Sequence, residues 1–146
     1  MGILNTKKPT QPPFFAWTNA EHSVGVARFD AEHKELAAAI SRVHRTLQGN
    51  RDHILIQRLV EDLIAETSKH FLHEELAMET AGFEDRAGHV AEHEILIKSA
   101  WEIDRKFRNG LTSALALPIL LKNWFIPHIQ EWDRKYAATL RRHGID

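Results

Sequence analysis

The chain contains no cysteine. That absence removes disulfides, thiolate metal sites, cysteine nucleophiles and iron–sulfur ligation together. Any metal must therefore be held by nitrogen and oxygen donors. No stretch approaches about 18 consecutive apolar residues, the length needed to span a bilayer. An excess of one charge is missing too. The formal net charge is -1 over 146 residues, so no basic field draws the chain to nucleic acid or to an anionic membrane. The N-terminus lacks the apolar run of a signal peptide: Lys7 and Lys8 lead into Pro9, Gln11, Pro12 and Pro13, and a cytoplasmic address is the expectation. Against one tyrosine and two methionines stand ten histidines. They are spread along the chain, so they are not a tag, and their spacing decides whether they form a surface habit or a metal site.

The length is that of one domain with a single core, and a monomer is the default expectation. Residues 1–18 read as an N-terminal arm, rich in proline and carrying Phe14, Phe15 and Trp17 to lie across the rest; residues 19–146 read as the folded domain. Asp30 is placed as an N-cap, with His33, Leu36, Ile40, Val43 and Leu47 recurring at spacings of three and four until Gly49-Asn50. A second helix runs from about Asp52, with Ile56, Leu59, Leu63, His70, Glu74 and Met78 on one face, and stops at Gly82. The third starts near Glu84–Asp85, carries His89, His93, Leu96, Ala100, Ile103 and Phe107, and stops at Asn109-Gly110. The fourth starts at Thr112 or Leu117, accommodates Pro118 in its first turn, and carries Leu121, Trp124, His128 and Tyr136 to about Arg142. No strand alternation competes. Four helices with short connections predict an all-α, up-down-up-down four-helix bundle.

Residues four apart on a helix face the same way. His70 and Glu74 therefore project together, as do His89 and His93; the first helix adds His33, and the fourth adds His128 and Asp133. A lone histidine on an apolar stripe is ordinarily a hydrogen-bonded core residue, and one such pair arises easily by chance. Five histidines and two carboxylates on four facing helices are a different case. Without a metal they would bury up to seven ionisable groups, and each unpaired charge costs several kcal/mol, roughly, against a domain stability of about 5–15 kcal/mol. A metal centre turns that liability into a cross-link. His22, His53 and His143 are expected to be solvated. His73 points about 100° away from Glu74, and His44 lies about 16 Å along the axis from His33, so neither joins the set. There is no His-Glu-x-x-His and no Glu-x-x-His, which argues against a zincin and against a carboxylate-rich, ferritin-like site. Imidazole-rich donors suit borderline divalent ions better than magnesium or calcium.

The order His33, then His70-x3-Glu74, then His89-x3-His93, then His128-x4-Asp133 resembles the hemerythrin family, above all its single-domain bacterial members, the bacteriohemerythrins. The flanks agree: Trp17, Val24-Gly25-Val26, Phe29-Asp30-Ala31-Glu32-His33-Lys34, His70-Phe71 with Glu74-Glu75, and Trp124 ahead of His128-Ile129. The resemblance runs from about residue 17 to the end. It implies two non-haem iron ions, one on His89, His93 and His128 and the other on His33 and His70, with Glu74 and Asp133 bridging them beside a hydroxide or oxide. It implies that molecular oxygen binds reversibly at an open position on the second iron. The implied role is oxygen carriage, storage or delivery rather than catalysis. Sensing through a partner protein and a peroxidase or nitric-oxide-handling enzyme are the alternatives, with Glu75, Glu79 and Glu92 as candidate proton relays or partners of the ligands.

Three departures from the family pattern stand out. Phe125 occupies the place, three residues before His128, where the family usually has a leucine over the oxygen pocket; Phe83-Glu84 replaces Tyr-Pro after the second helix; and Pro127 directly precedes His128. The fourth-helix pair also poses a geometric problem. Five residues apart, His128 and Asp133 diverge by about 140° on an ideal α-helix. A kink or π-type bulge between residues 123 and 133 is the expected remedy.

Overall fold

The computed structural model describes residues 11–146; Lys7, Lys8 and Pro9 of the arm lie outside the described residues. A short helix α1 (Asn19–His22) precedes α2 (Ala27–Leu47), α3 (His53–Ala81), α4 (Arg86–Arg108) and α5 (Ala116–His128). A π-helical turn (Ile129–Asp133) then joins α5 to α6 (Arg134–Arg142), and these three pieces together make the fourth long rod. α2 packs on α3, α3 on α4, α4 on α5, and α5 back on α2. That ring is the expected up-down-up-down four-helix bundle. No helix among the described residues is long and apolar enough to cross a membrane.

Local chemistry explains the boundaries. The Asp52 carboxylate accepts from the N–H groups of Ile54 and Leu55, both at 3.1 Å, and starts α3 as anticipated. Gly82 ends α3 in the left-handed region at φ 65°, which costs glycine no Cβ clash, and the Phe83 N–H closes back on the Met78 carbonyl at 2.9 Å. Asp30, expected to be a cap, is not one. α2 begins three residues earlier at Ala27, and the Asp30 carboxylate turns outward to accept from the Ser23 hydroxyl at 2.6 Å and the Val24 N–H at 2.8 Å. It fixes the loop before the helix instead. α1 has no counterpart in the periodic pattern, because four residues are too few to show one.

The described part of the arm lies across the bundle, as its aromatics suggested. Phe15 is buried, and Phe14 stacks on His44 with ring centroids 3.8 Å apart. The Ser41 hydroxyl accepts from the Phe15 N–H at 2.8 Å and donates to the Ala37 carbonyl at 2.9 Å. His22, expected to be solvated, is 2% exposed. It packs against Phe15 and Trp17 with its Nδ1 facing the Thr18 backbone. His53 and His143 are exposed, as expected. Removing the Ser41 hydroxyl leaves a buried N–H without a partner, so Ser41→Ala is expected to cost about 1–3 kcal/mol. Urea unfolding checks this: a lower midpoint at unchanged slope is the expected outcome, and an unmoved midpoint would show that the arm is not held there.

Candidate metal centre

All seven residues singled out from the sequence converge in the middle of the bundle. His33 comes from α2, His70 and Glu74 from α3, His89 and His93 from α4, His128 from the end of α5, and Asp133 from the end of the π-turn. None is more than 4% exposed. The π-turn makes the last pair possible. The Arg134 N–H donates to the Ile129 carbonyl, five residues back, so the widened turn brings Asp133 round to the side of His128, and Asp133 Oδ1 lies 3.0 Å from His128 Nε2. Pro127 sits in the last turn of α5, just before it.

The donors form two groups. The Nε2 atom of His128 is 3.2 Å from those of both His89 and His93. The second group is His33 and His70, with ring centroids 4.7 Å apart. Each carboxylate divides its oxygens between them. Glu74 turns Oε1 to His33 at 3.3 Å and to His70 at 3.4 Å, and Oε2 to His93 at 3.3 Å. Asp133 turns Oδ2 to His33 at 3.2 Å, and Oδ1 to His89 and His128 at 3.0 Å each. Five donor residues, Glu74, His89, His93, His128 and Asp133, fall within mutual ligating range; so do His33, His70 and Glu74.

The inward-facing atoms are left without partners, which is what a cation site requires of them. His33 Nε2, His70 Nε2, Glu74 Oε2 and both Asp133 oxygens are buried with no hydrogen bond. Buried polar atoms are normally satisfied, so this many orphans around one point fit a missing positive charge. Neutral imidazole and ionised carboxylate are the donors a borderline transition metal takes.

Electrostatics agree. Burial resists ionisation of Glu74, yet the surrounding histidines, His70 foremost, hold its carboxyl well below the usual range. Burial and the Glu74 charge both oppose ionisation of Asp133, but His128 and His33 outweigh them and its pKa also falls. Burial disfavours protonated His70, but the charge of Glu74 and the bond to Glu32 raise its pKa to about 10. His33 is raised against burial by Asp133 and Glu74, whereas burial dominates at His128 and lowers it. Burial and the two carboxylates raise Tyr136, keeping its hydroxyl protonated.

Of the outer layer of partners, Glu75 was singled out from the sequence, and Glu32 and Tyr136 were not. Glu32 spans two histidines, with Oε2 2.8 Å from His70 Nδ1 and Oε1 2.9 Å from His73 Nδ1. Glu75 sits 2.9 Å from His93 Nδ1, so it is a partner of that imidazole, as one of its two readings held. Tyr136 donates its hydroxyl to Glu74 Oε1 at 2.6 Å. Such contacts fix the ring orientation and leave Nε2 to face the centre. Glu32 adjoins His33 in sequence and Tyr136 follows Asp133 by three, but their partners are 38 and 62 residues away, a pairing that periodicity does not reveal. His73 stays outside the centre, 35% exposed at its side chain. It lines a groove of about 460 Å³ between α2 and α3 with Glu32, Glu35 and Glu66, and the groove reaches His70. Phe125 is 1% exposed, with its ring centroid 5.6 Å from that of His33 and 5.9 Å from that of His70. Phe71 lies flat on His93 at 3.8 Å, and Trp124 stacks on His128 at 4.1 Å.

Known proteins carry the same pattern. The hemerythrin HHE cation-binding domain matches residues 24–140. The chain is 31% identical to a bacteriohemerythrin of Pseudomonas aeruginosa over 119 residues, covering 82% of this chain and 77% of that one. It is 31% identical to a bacteriohemerythrin of Methylococcus capsulatus over 126 residues, covering 85% and 95%. Among solved structures, a wild-type hemerythrin superposes with a TM-score of 0.80 at 27% identity, covering 87% of this chain and 98% of that one. A leucine-to-tyrosine mutant of hemerythrin superposes with a TM-score of 0.81 at 27% identity, covering 88% and 98%. A cation-binding domain model that spans the buried cluster of histidines and carboxylates, and relatives aligned over most of their own length, lead to one conclusion: this chain belongs to the hemerythrin family.

Proposed function

We propose that the protein binds molecular oxygen reversibly at a pair of iron ions held by His33, His70, Glu74, His89, His93, His128 and Asp133. One observation carries the reading: each of two buried carboxylates presents one oxygen to a three-histidine group and the other to a two-histidine group. Two shared carboxylates suit two cations a short distance apart. The donor sets are unequal, with five residues on one side and four on the other, so the side of His33 and His70 keeps room for a further ligand. Iron in this setting would supply the electrons that bind oxygen.

The chain's own residues do the rest. Glu32 and Glu75 orient His70 and His93 through their second ring nitrogens. Tyr136 holds Glu74 by a hydrogen bond from a hydroxyl that stays protonated. Phe125, with the Trp17 ring 6.0 Å from that of His33, covers the two-histidine side with aromatic surface, and His33 and His70 are at most 4% exposed. A dry, apolar cover favours release of the neutral ligand over loss of a charged product into water. We assign the protein to binding rather than catalysis on that ground, with Phe125 as the wall of the oxygen pocket and residues 19–146 as the domain that builds it. A second reading, sensing through a partner protein, has one observation in its favour: Leu72 and Leu76 are four apart on the outside of α3 and 62% and 59% exposed.

Reduced, iron-loaded protein is expected to develop a visible charge-transfer absorption in air and to lose it when the oxygen is removed. A stable oxidised spectrum after one exposure would refute reversible binding. Phe125→Leu enlarges the pocket at modest cost to the core; oxygen association by stopped flow is expected to quicken and oxidation in air to accelerate, with iron content still two per chain. Rates equal to those of the natural chain would mean that the ring does not wall the pocket. Metal loading must displace the proton held at His70, whose pKa is raised to about 10 in the metal-free protein. Iron(II) added near pH 8 to weakly buffered, metal-free protein is therefore expected to acidify the solution, and a pH electrode reads the outcome directly.

A further inference from the structure

The π-turn that delivers Asp133 is an uncommon backbone arrangement, and in a regular α-helix the same carboxylate would swing away from His128. Something must hold the extra residue in place. On the outer side of the turn, two side chains reach the same atom. Gln130, the second residue of the turn, donates from Nε2 to the Glu21 carbonyl at 3.1 Å. Arg134, the first residue after it, donates from Nη2 to that carbonyl at 2.7 Å and from Nε to the Ser23 carbonyl at 3.1 Å. These carbonyls lie at the end of α1, where a helix leaves its last carbonyls without internal partners.

The segment that offers them is itself tied to α2. Asp30 of α2 binds Ser23 and Val24, Ser41 of α2 binds Phe15, and His22 is buried against Phe15 and Trp17. α2 also carries His33, the imidazole that faces Asp133 Oδ2 at 3.2 Å. The strap of residues 14–24 thus spans two ligand-bearing elements from outside. We infer that Gln130 and Arg134 are positioning residues that, by gripping the strap, hold the π-turn open and so aim the Asp133 carboxylate between the two histidine groups. This rests on the reading of Asp133 as a shared ligand of two iron ions.

The test compares the full natural chain with Gln130→Ala/Arg134→Ala, both iron-loaded, by iron content, Mössbauer spectrum and the rate of iron loss to a chelator. The natural chain is expected to hold two irons as a magnetically coupled pair. The double variant is expected to keep its helical circular dichroism, to lose iron about tenfold faster, since three hydrogen bonds are removed, and to show weakened coupling; Arg134→Lys restores part of the loss. If the double variant does not fold, Gln130→Ala alone is read the same way, with roughly a threefold effect expected. Wild-type coupling and a wild-type rate of iron loss, even with a lower melting temperature, would overturn the inference, because the grip would then only glue the strap down. A natural chain without a coupled iron pair would overturn the reading of the centre itself, and the role of the grip with it.

Discussion

Two carboxylates buried at the centre of a small helical bundle are the constraint around which this protein is built. Glu74 and Asp133 have no exposed surface, and ionised groups in that position are tolerable only when opposite charge meets them. Protonated His70 and His33, both raised above the usual imidazole range, provide it in the metal-free chain, and a cation bound to the inward-facing nitrogens would provide it in their place. The apolar layers above and below follow from that demand. Leu63, Ile64, Leu117, Leu121, Ile129 and Leu140 are all at most 1% exposed, and they fill the bundle around the polar centre.

The supporting contacts show how a flexible set of side chains becomes a fixed one. Each histidine group has one ring pinned from behind by a carboxylate, His70 by Glu32 and His93 by Glu75. Aromatic faces confine others, with Phe71 flat on His93 and Trp124 flat on His128. The backs of His33, His89 and His128 have no hydrogen-bond partner among the described residues, so packing and the inward donors alone set those rings. The centre is therefore held by two kinds of constraint, directional at two rings and steric at three.

Much of this was legible because helical periodicity and ligand geometry make the same demand. A residue pair four apart, such as His70 and Glu74 or His89 and His93, is at once a core stripe and a chelating pair, so the seven residues stood out together. The misfit of His128 and Asp133 was legible for the opposite reason: a spacing of five is wrong for a straight helix, and the turn at Ile129–Asp133 is the local distortion it called for. Pairings across the bundle were not legible. Glu32 looks like any surface carboxylate until α3 brings His70 and His73 against it, and Tyr136 looks like core until Glu74 arrives beneath its hydroxyl. Asp30 was misread because an acid near a helix start resembles a cap whether it satisfies that helix or the loop before it. His22 was misplaced because its burial comes from arm aromatics whose course no periodicity encodes.

The spread of the seven donor residues over all four long rods has a kinetic meaning. A metal held by one loop can leave when that loop opens, and local opening of a few residues costs little. Here no single rod can withdraw without dragging its donors through packed neighbours, since the rods contact one another all the way round the ring. Exchange of a cation held there would therefore follow the rarest and most concerted motions of the bundle. Retention becomes a property of the barrier to parting the helices, and a cation once seated is trapped by topology as much as by affinity.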